Sequence, residues 1–245
     1  MKKRIWIITL FPEFFDPLLK CGIAGSAFRG ERSQAELTFE VICVNTRDYA
    51  TTKYKSVDDS PYGGGPGMVM RADILRDALL KGVVEKGGYT SVDDLTVVYT
   101  SPRGKVWNNL VAREFGSSVL SHPQKDVVFI CGRYEGIDER FIENYVDEFF
   151  SIGDYVLTGG EIAVMAILDS AVRFVPGILG NKLSSVEDSF EDGLLEFPQY
   201  TKPREFEGLQ VPEVLLEGHH KKILEWQKEQ KLLMTKKHRP DLLPK

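Results

Sequence analysis

Three short runs of β-branched and aromatic residues, each ending abruptly at a glycine-bearing loop, constrain this chain more than any other feature. LTVVYT at 95–100 runs into Ser101, Pro102, Arg103 and Gly104, residues 127–130 stop at Gly132, and residues 149–152 stop at Gly153. Glycine lets the backbone turn sharply and lets another surface approach the main chain. If the three runs are parallel neighbours in one sheet, their carboxyl ends share an edge and the loops converge on one crevice. That is where open α/β sheets bind ligands. The alternative is three ordinary strand-to-helix turns, a common form of punctuation.

The flanking sequence has the alternation that a parallel sheet requires. Residues 4–10 read as a first strand, 14–20 as a short helix and 37–44 as a second strand. Apolar residues at 74, 75, 79 and 80 place a helix over 71–84, and 108–115, 138–146 and 161–172 continue the helical series. NKLSSVEDSFED, between Gly180 and Gly193, is polar and poor in aliphatics, and reads as an interdomain linker. Beyond it, proline-punctuated segments lead to a helix over 219–237 with apolar residues at 223, 224, 226, 232 and 233. The expected organisation is a domain over 1–179, a flexible linker over 180–193 and a small, mainly helical domain over 194–245.

At 245 residues, 42% hydrophobic and 27% charged, the chain has the composition of a soluble globular protein, and no apolar run is long enough to span a membrane. The opening MKKRIWIITLF reads as a strand, because Pro12 and Glu13 end its apolar part without a small-residue cleavage site. Cys21, Cys43 and Cys131 have no metal-ligand or disulfide spacing, which points to a reducing cytoplasm. His219 and His220 are adjacent on a helix and point in different directions, so they suit solvent or substrate contact better than a shared metal.

Net charge is −5, but unevenly spread: residues 200–245 carry ten Lys and Arg against seven Asp and Glu, or +3, leaving −8 for 1–199. A basic end on an acidic body can track phosphates. It can equally be a solvated helix face. The glycines at 63, 64, 65 and 67 around Pro66 lack the Lys and Ser or Thr that close a phosphate-binding P-loop. An irregular segment packed against another surface is the other reading.

In order along the chain, YGGGPGM, SPxG, CGRYEGIDER, SIGDYVLTGGE, VPGILG, EDSF with GLLEFPQYTKP, and VPEVLLEGHH resemble the bacterial tRNA (guanine-N1)-methyltransferases, members of the SPOUT class. The resemblance covers nearly the whole chain. It implies an α/β fold in which a SPOUT-type parallel sheet has helices on both faces and a deep trefoil knot, followed by a small helical tRNA-binding domain. Periodicity would not have suggested a knot, since unknotted crossovers are the default. The resemblance further implies a homodimer and a bound S-adenosylmethionine, with magnesium as a further requirement.

Carried over by position, Tyr99, Ser101, Pro102 and Gly104 of the first loop would hold that donor, with Gly132, Tyr134 and Glu135 of the second. The third loop would contribute Ile152, Gly153, Asp154, Tyr155, Val156 and Leu157, with Gly159 and Gly160. Methylating N1 of guanine requires removal of the N1 proton, stabilisation of charge on O6 and alignment of two bound substrates. By resemblance Asp188 is the general base and Arg173 the electrostatic partner. The implied substrate is the guanosine 3′ of the anticodon, position 37, in tRNAs whose preceding base is also guanosine. Lys202, Arg204, Lys221, Lys222, Lys236, Lys237 and Arg239 are candidates for phosphate contacts.

Overall fold

The computed structural model describes residues 2–32, 35, 37–122, 124–179 and 188–244. The chain forms two compact units, Met1–Gly180 and Asn181–Lys245. The first unit is built on a five-stranded, all-parallel sheet of β1 (Lys2–Thr9), β2 (Thr38–Asn45), β5 (Leu95–Val106), β6 (Asp126–Ile130) and β7 (Glu148–Ser151), in the order β2-β1-β6-β5-β7. A two-stranded antiparallel pair, β3 (Asp58–Asp59) with β4 (Val69–Met70), lies outside it.

Alternation along β1 sends Ile5 and Ile7 to one face of the sheet and Trp6 and Ile8 to the other. All four are buried, as a parallel sheet covered on both sides requires. On the Ile5 face pack α2 (Gly22–Phe28), α4 (Asn109–Glu114) and α6 (Glu161–Val172), through Phe28, Val111, Val164 and Leu168. On the Trp6 face pack α3 (Ala72–Leu79) and α5 (Glu139–Tyr145), through Ile74, Leu75, Phe141 and Ile142. A short α1 (Asp16–Lys20) precedes α2. The sheet flanked by helices agrees with the sequence reading.

Three boundaries differ from that reading, each for a physical reason. Residues 101–104 do not lead into a helix: Thr100 and Lys105 both pair with Phe150, so these four residues bulge out of the ladder and β5 resumes to Val106. The helix expected over 71–84 is α3 continued by a wide-turn π segment, Leu80–Glu85, whereas a second such segment, Phe115–Leu120, carries α4 past its expected end at 115. Helix α2 has no counterpart in the reading because its GIAGSAF sequence carries two glycines, which weaken a helical signal.

The second unit contains a small hairpin, β8 (Glu205–Phe206) with β9 (Leu209–Gln210), and the 19-residue α7 (His220–His238). Trp226 of α7 meets the rings of Phe197 and Tyr200 at centroid distances of 6.4 and 6.3 Å. Residues 188–193, assigned to the linker from their polarity, are hydrogen-bonded within this unit. The remainder of the expected linker, residues 180–187, lies outside the described residues.

Candidate functional site

Strands β6, β5 and β7 are adjacent in the sheet, and the loops at their carboxyl ends enclose a cavity of about 480 Å³. Tyr99, Ser101 and Pro102 line it from the first loop, with Gly132, Tyr134 and Glu135 from the second. The third loop contributes Ile152, Gly153, Tyr155, Val156, Leu157, Gly159 and Gly160. The convergence expected from three runs of sequence is therefore present in the fold.

Two expected residues, Gly104 and Asp154, are not part of the lining. At Gly104 a Cβ would stand 2.5 Å from the Phe150 backbone nitrogen, so this glycine serves the close passage of β5 beside β7. Asp154 is exposed. Several lining glycines likewise answer to neighbouring protein atoms: a Cβ at Gly132 would reach the Tyr99 hydroxyl at 2.8 Å, and one at Gly160 the Thr100 Oγ1 at 2.6 Å.

The second loop is held under backbone strain and braced from behind. Tyr134 has φ +59°, unusual for a bulky side chain, and Gly136 has φ +130°. The Glu135 N–H donates to Met68 O at 3.0 Å, and the Met70 N–H donates to Gly136 O at 2.9 Å. Gly67 abuts the Glu135 side chain so closely that a Cβ would sit 2.3 Å from Oε1. The Gly67–Met68 end of the YGGGPGM motif thus packs against the cavity wall, in keeping with the second of the two readings its sequence allowed.

A buried ionic network that sequence reading did not single out joins the second and third loops. Glu161, the first residue of α6, is 1% exposed, and its Oε1 accepts from Thr9 Oγ1 at 2.8 Å and from Arg133 Nε at 3.2 Å. Arg133 Nη2 lies 3.0 Å from Oε2, near enough for charge pairing, although the angle makes no hydrogen bond. The guanidinium also donates to Thr158 O at 3.2 Å and stacks over Phe11 at 4.5 Å. The available signal was a charged residue in each of two glycine loops, CGRYEG and TGGE, next to apolar runs.

Burial pushes the Cys131 thiol, behind the second loop, well above its ordinary range, so it is no nucleophile near neutral pH. Burial likewise raises the Tyr99 phenol, which stays protonated. Thr100 Oγ1, on the cavity floor, is buried and has no hydrogen-bond partner among the described residues. A polar orphan beside an apolar, glycine-turned crevice suits a heteroaromatic ligand with edge donors and acceptors. Arg103, on the rim, is engaged by Glu139 through two hydrogen bonds of 3.2 and 3.0 Å.

The other two expected functional residues are not in the lining. Arg173 follows α6 at the end remote from Gly160; ten residues beyond Ala163, which lines the cavity, a rise of 1.5 Å each places it about 15 Å along the axis from the cavity. Asp188 belongs to the second unit. The seven basic residues expected to meet phosphates are all exposed on that unit, where Lys222 pairs with Glu217 and Arg239 with Asp241. Among the described residues no group of three or more His, Cys, Asp or Glu gathers to hold a metal, so the magnesium expectation finds no fitting site there.

The family described as tRNA (Guanine-1)-methyltransferase TrmD matches residues 3–245. The chain belongs to this family. It is 48% identical over 242 residues to a tRNA (guanine-N(1)-)-methyltransferase of Lactobacillus delbrueckii subsp. bulgaricus, covering 99% of this chain and 89% of the relative. The enzymes of the same name from Hahella chejuensis and Actinobacillus succinogenes are 48% and 44% identical, covering 98% of this chain in each case and 87% and 91% of the relatives. No helix among the described residues is long and apolar enough to cross a membrane.

Proposed function

We propose that this protein methylates N1 of guanosine in tRNA, at the nucleotide 3′ of the anticodon, using S-adenosylmethionine. The observation that carries the reading is the cavity at the carboxyl ends of β5, β6 and β7, lined by thirteen of the fifteen donor-binding residues expected from sequence. Family membership over nearly the whole chain supports the reaction, and with it the knotted path, a cytoplasmic location and the tRNA substrate.

When bound, S-adenosylmethionine supplies an electrophilic methyl group on a sulfonium sulfur. The chain's own residues do the rest. Ile152, Tyr155 and Leu157 give the cavity an apolar wall, and main-chain groups of the three loops read the edges of a purine ring. The Asp188 carboxylate takes the N1 proton as N1 becomes the nucleophile, and the Arg173 guanidinium opposes the charge that builds on O6. Since Arg173 stands at the far end of α6 from the cavity of its own chain, we place the complete site between two copies. Each copy lends Arg173 and its second unit to the donor cavity of the other, which accounts for a homodimer. Exposed lysines and arginines of the second unit hold the anticodon stem-loop, whose target base leaves the stack to reach the methyl.

The test is methyl transfer to an unmodified tRNA transcript with two consecutive guanosines spanning the last anticodon position and its 3′ neighbour. Mass spectrometry is expected to map the methyl to N1 of the second guanosine, and methylation elsewhere refutes the specificity. Asp188→Asn is expected to bind the donor normally and lose most single-turnover transfer, because amide replaces proton acceptor at constant shape. A near-normal rate in that variant rejects Asp188 as the base.

A further inference from the structure

The segment that carries Asp188 is built into the second unit by one stripe of α7. Beginning at Asp188, the chain makes a compact turn: Glu191 N donates to Asp188 O at 3.4 Å, Gly193 N to Phe190 O at 3.3 Å and Phe190 N to Leu194 O at 2.7 Å. Glu196 N closes it onto Ser189 Oγ at 3.0 Å. Phe190 has φ +75°, a left-handed conformation that a bulky side chain keeps only where its surroundings enforce it.

Helix α7 supplies that enforcement through Lys231 and Thr235, spaced four residues apart and therefore on one face, and through Arg239, the residue that follows the helix. Lys231 Nζ meets Asp192 Oδ2 at 2.6 Å, with the Lys231 side chain only 13% exposed. Thr235, fully buried, accepts from the Leu195 N–H at 2.8 Å while its hydroxyl donates to Lys231 O at 2.7 Å. The Arg239 guanidinium lies 5.9 Å over the Phe190 ring. Burial works against ionisation of Asp192, yet hydrogen bonds from Lys231 and the Leu194 N–H hold its carboxyl below the ordinary range.

A lysine draws one carboxylate, a threonine fills both its hydrogen-bond roles, and an arginine covers the strained ring, all within seven residues of Asp188. A segment needed only as a spacer has no use for a charged contact whose lysine side chain is almost withdrawn from water, since ordering that side chain costs rotamer entropy. Alignment of a proton acceptor does have a use for it, because small misplacements of a catalytic group cost large factors in rate.

We propose that Lys231 and Thr235 are positioning residues for the reaction: α7 clamps the turn over 190–195 and so fixes the approach of the Asp188 carboxylate. This rests on the reading of Asp188 as the proton acceptor. Lys231 acts through Asp192, four residues from Asp188.

The experiment measures single-turnover methyl transfer by the full-length protein from S-adenosylmethionine to the unmodified transcript, with donor affinity measured by calorimetry. Lys231→Met is expected to lower the rate at saturating substrates roughly 10- to 100-fold, with donor affinity unchanged within twofold. Lys231→Arg is expected to recover most of the loss, as is the reversed pair Lys231→Asp with Asp192→Lys. Thr235→Val, which keeps shape and removes both hydroxyl bonds, is expected to lower the rate in the same way, and Thr235→Ser to retain it. A variant that merely unfolds loses active molecules, which active-site titration of the burst corrects, whereas misalignment lowers the rate per active molecule. Full rates per active molecule in Lys231→Met and Thr235→Val, with Asp188→Asn inactive, overturn the clamp and leave the base reading standing. Full activity in Asp188→Asn overturns both.

Discussion

Replacing Arg133 by methionine tests whether the buried pair with Glu161 ties the second loop to the third. The change keeps a side chain of similar reach and removes the guanidinium. It strands a carboxylate that is 1% exposed, with the Thr9 hydroxyl as its remaining described donor. Breaking a buried pair from one side costs about 3–5 kcal/mol, because the surviving charge stays desolvated. Lost stacking over Phe11 and the lost bond to Thr158 O add to this, but they overlap with the ionic term, so about 4 kcal/mol is the expected total. For a unit of this size each kcal/mol moves the unfolding midpoint by roughly 2–4 °C, giving a fall of roughly 8–16 °C. Glu161→Gln in the same chain removes the stranded charge and keeps an acceptor for Thr9, so the double variant is expected to recover about 2 kcal/mol. Urea unfolding followed by hydrogen exchange of the β1 and α6 amides reads the first unit directly. A single variant within 1 kcal/mol of the parent, or a double variant no more stable than the single, refutes the argument.

Gly160→Ala is expected to weaken donor binding at least tenfold by calorimetry. Its backbone, at φ −76°, accepts alanine, so the effect comes from the approach of a Cβ to Thr100 Oγ1 at 2.6 Å and to Cys131 Cα and the Gly132 nitrogen at 3.0 and 3.1 Å. Thr100→Ala in the same chain removes the closest of these contacts and is expected to restore part of the affinity, and unchanged affinity in Gly160→Ala alone refutes the reasoning. Lys3 is 2% exposed and donates to the carbonyls of Val119, His122 and Lys125; burial lowers its ammonium to about 8, offset in part by Asp126. From pH 8 to 10.5 the unfolded chain holds this proton more tightly than the folded chain, so stability attributable to Lys3 rises with pH, by about 3 kcal/mol in all. The stability of the parent minus that of Lys3→Met is expected to grow across this window, and a flat difference refutes the assignment.

The sheet was legible because its strands are buried on both faces and read as unbroken β-branched and aromatic runs, such as residues 127–130 and 95–100. The cavity was legible for the same reason: adjacent parallel strands put their glycine loops on one edge. Local pattern failed where the backbone left a regular path. Nothing periodic marks residues 101–104 as a bulge, because Lys105 and Val106, which resume the ladder, are exposed.

Pairs of polar groups distant in sequence were hidden altogether. Arg133 and Glu161 stand 28 residues apart, and Asp192 and Lys231 stand 39 apart. In a list of residues each is one more charge on a polar stretch, indistinguishable from a solvated face. What separates them is burial, a property of the assembled fold: a charge withdrawn from water needs a partner, so each such group identifies the two segments the fold must hold together. In this chain the first pair joins two cavity loops and the second joins the Asp188 segment to α7. These two long-range ionic contacts therefore fall at the joints on which the proposed chemistry depends, while the runs that reveal the sheet say nothing about them.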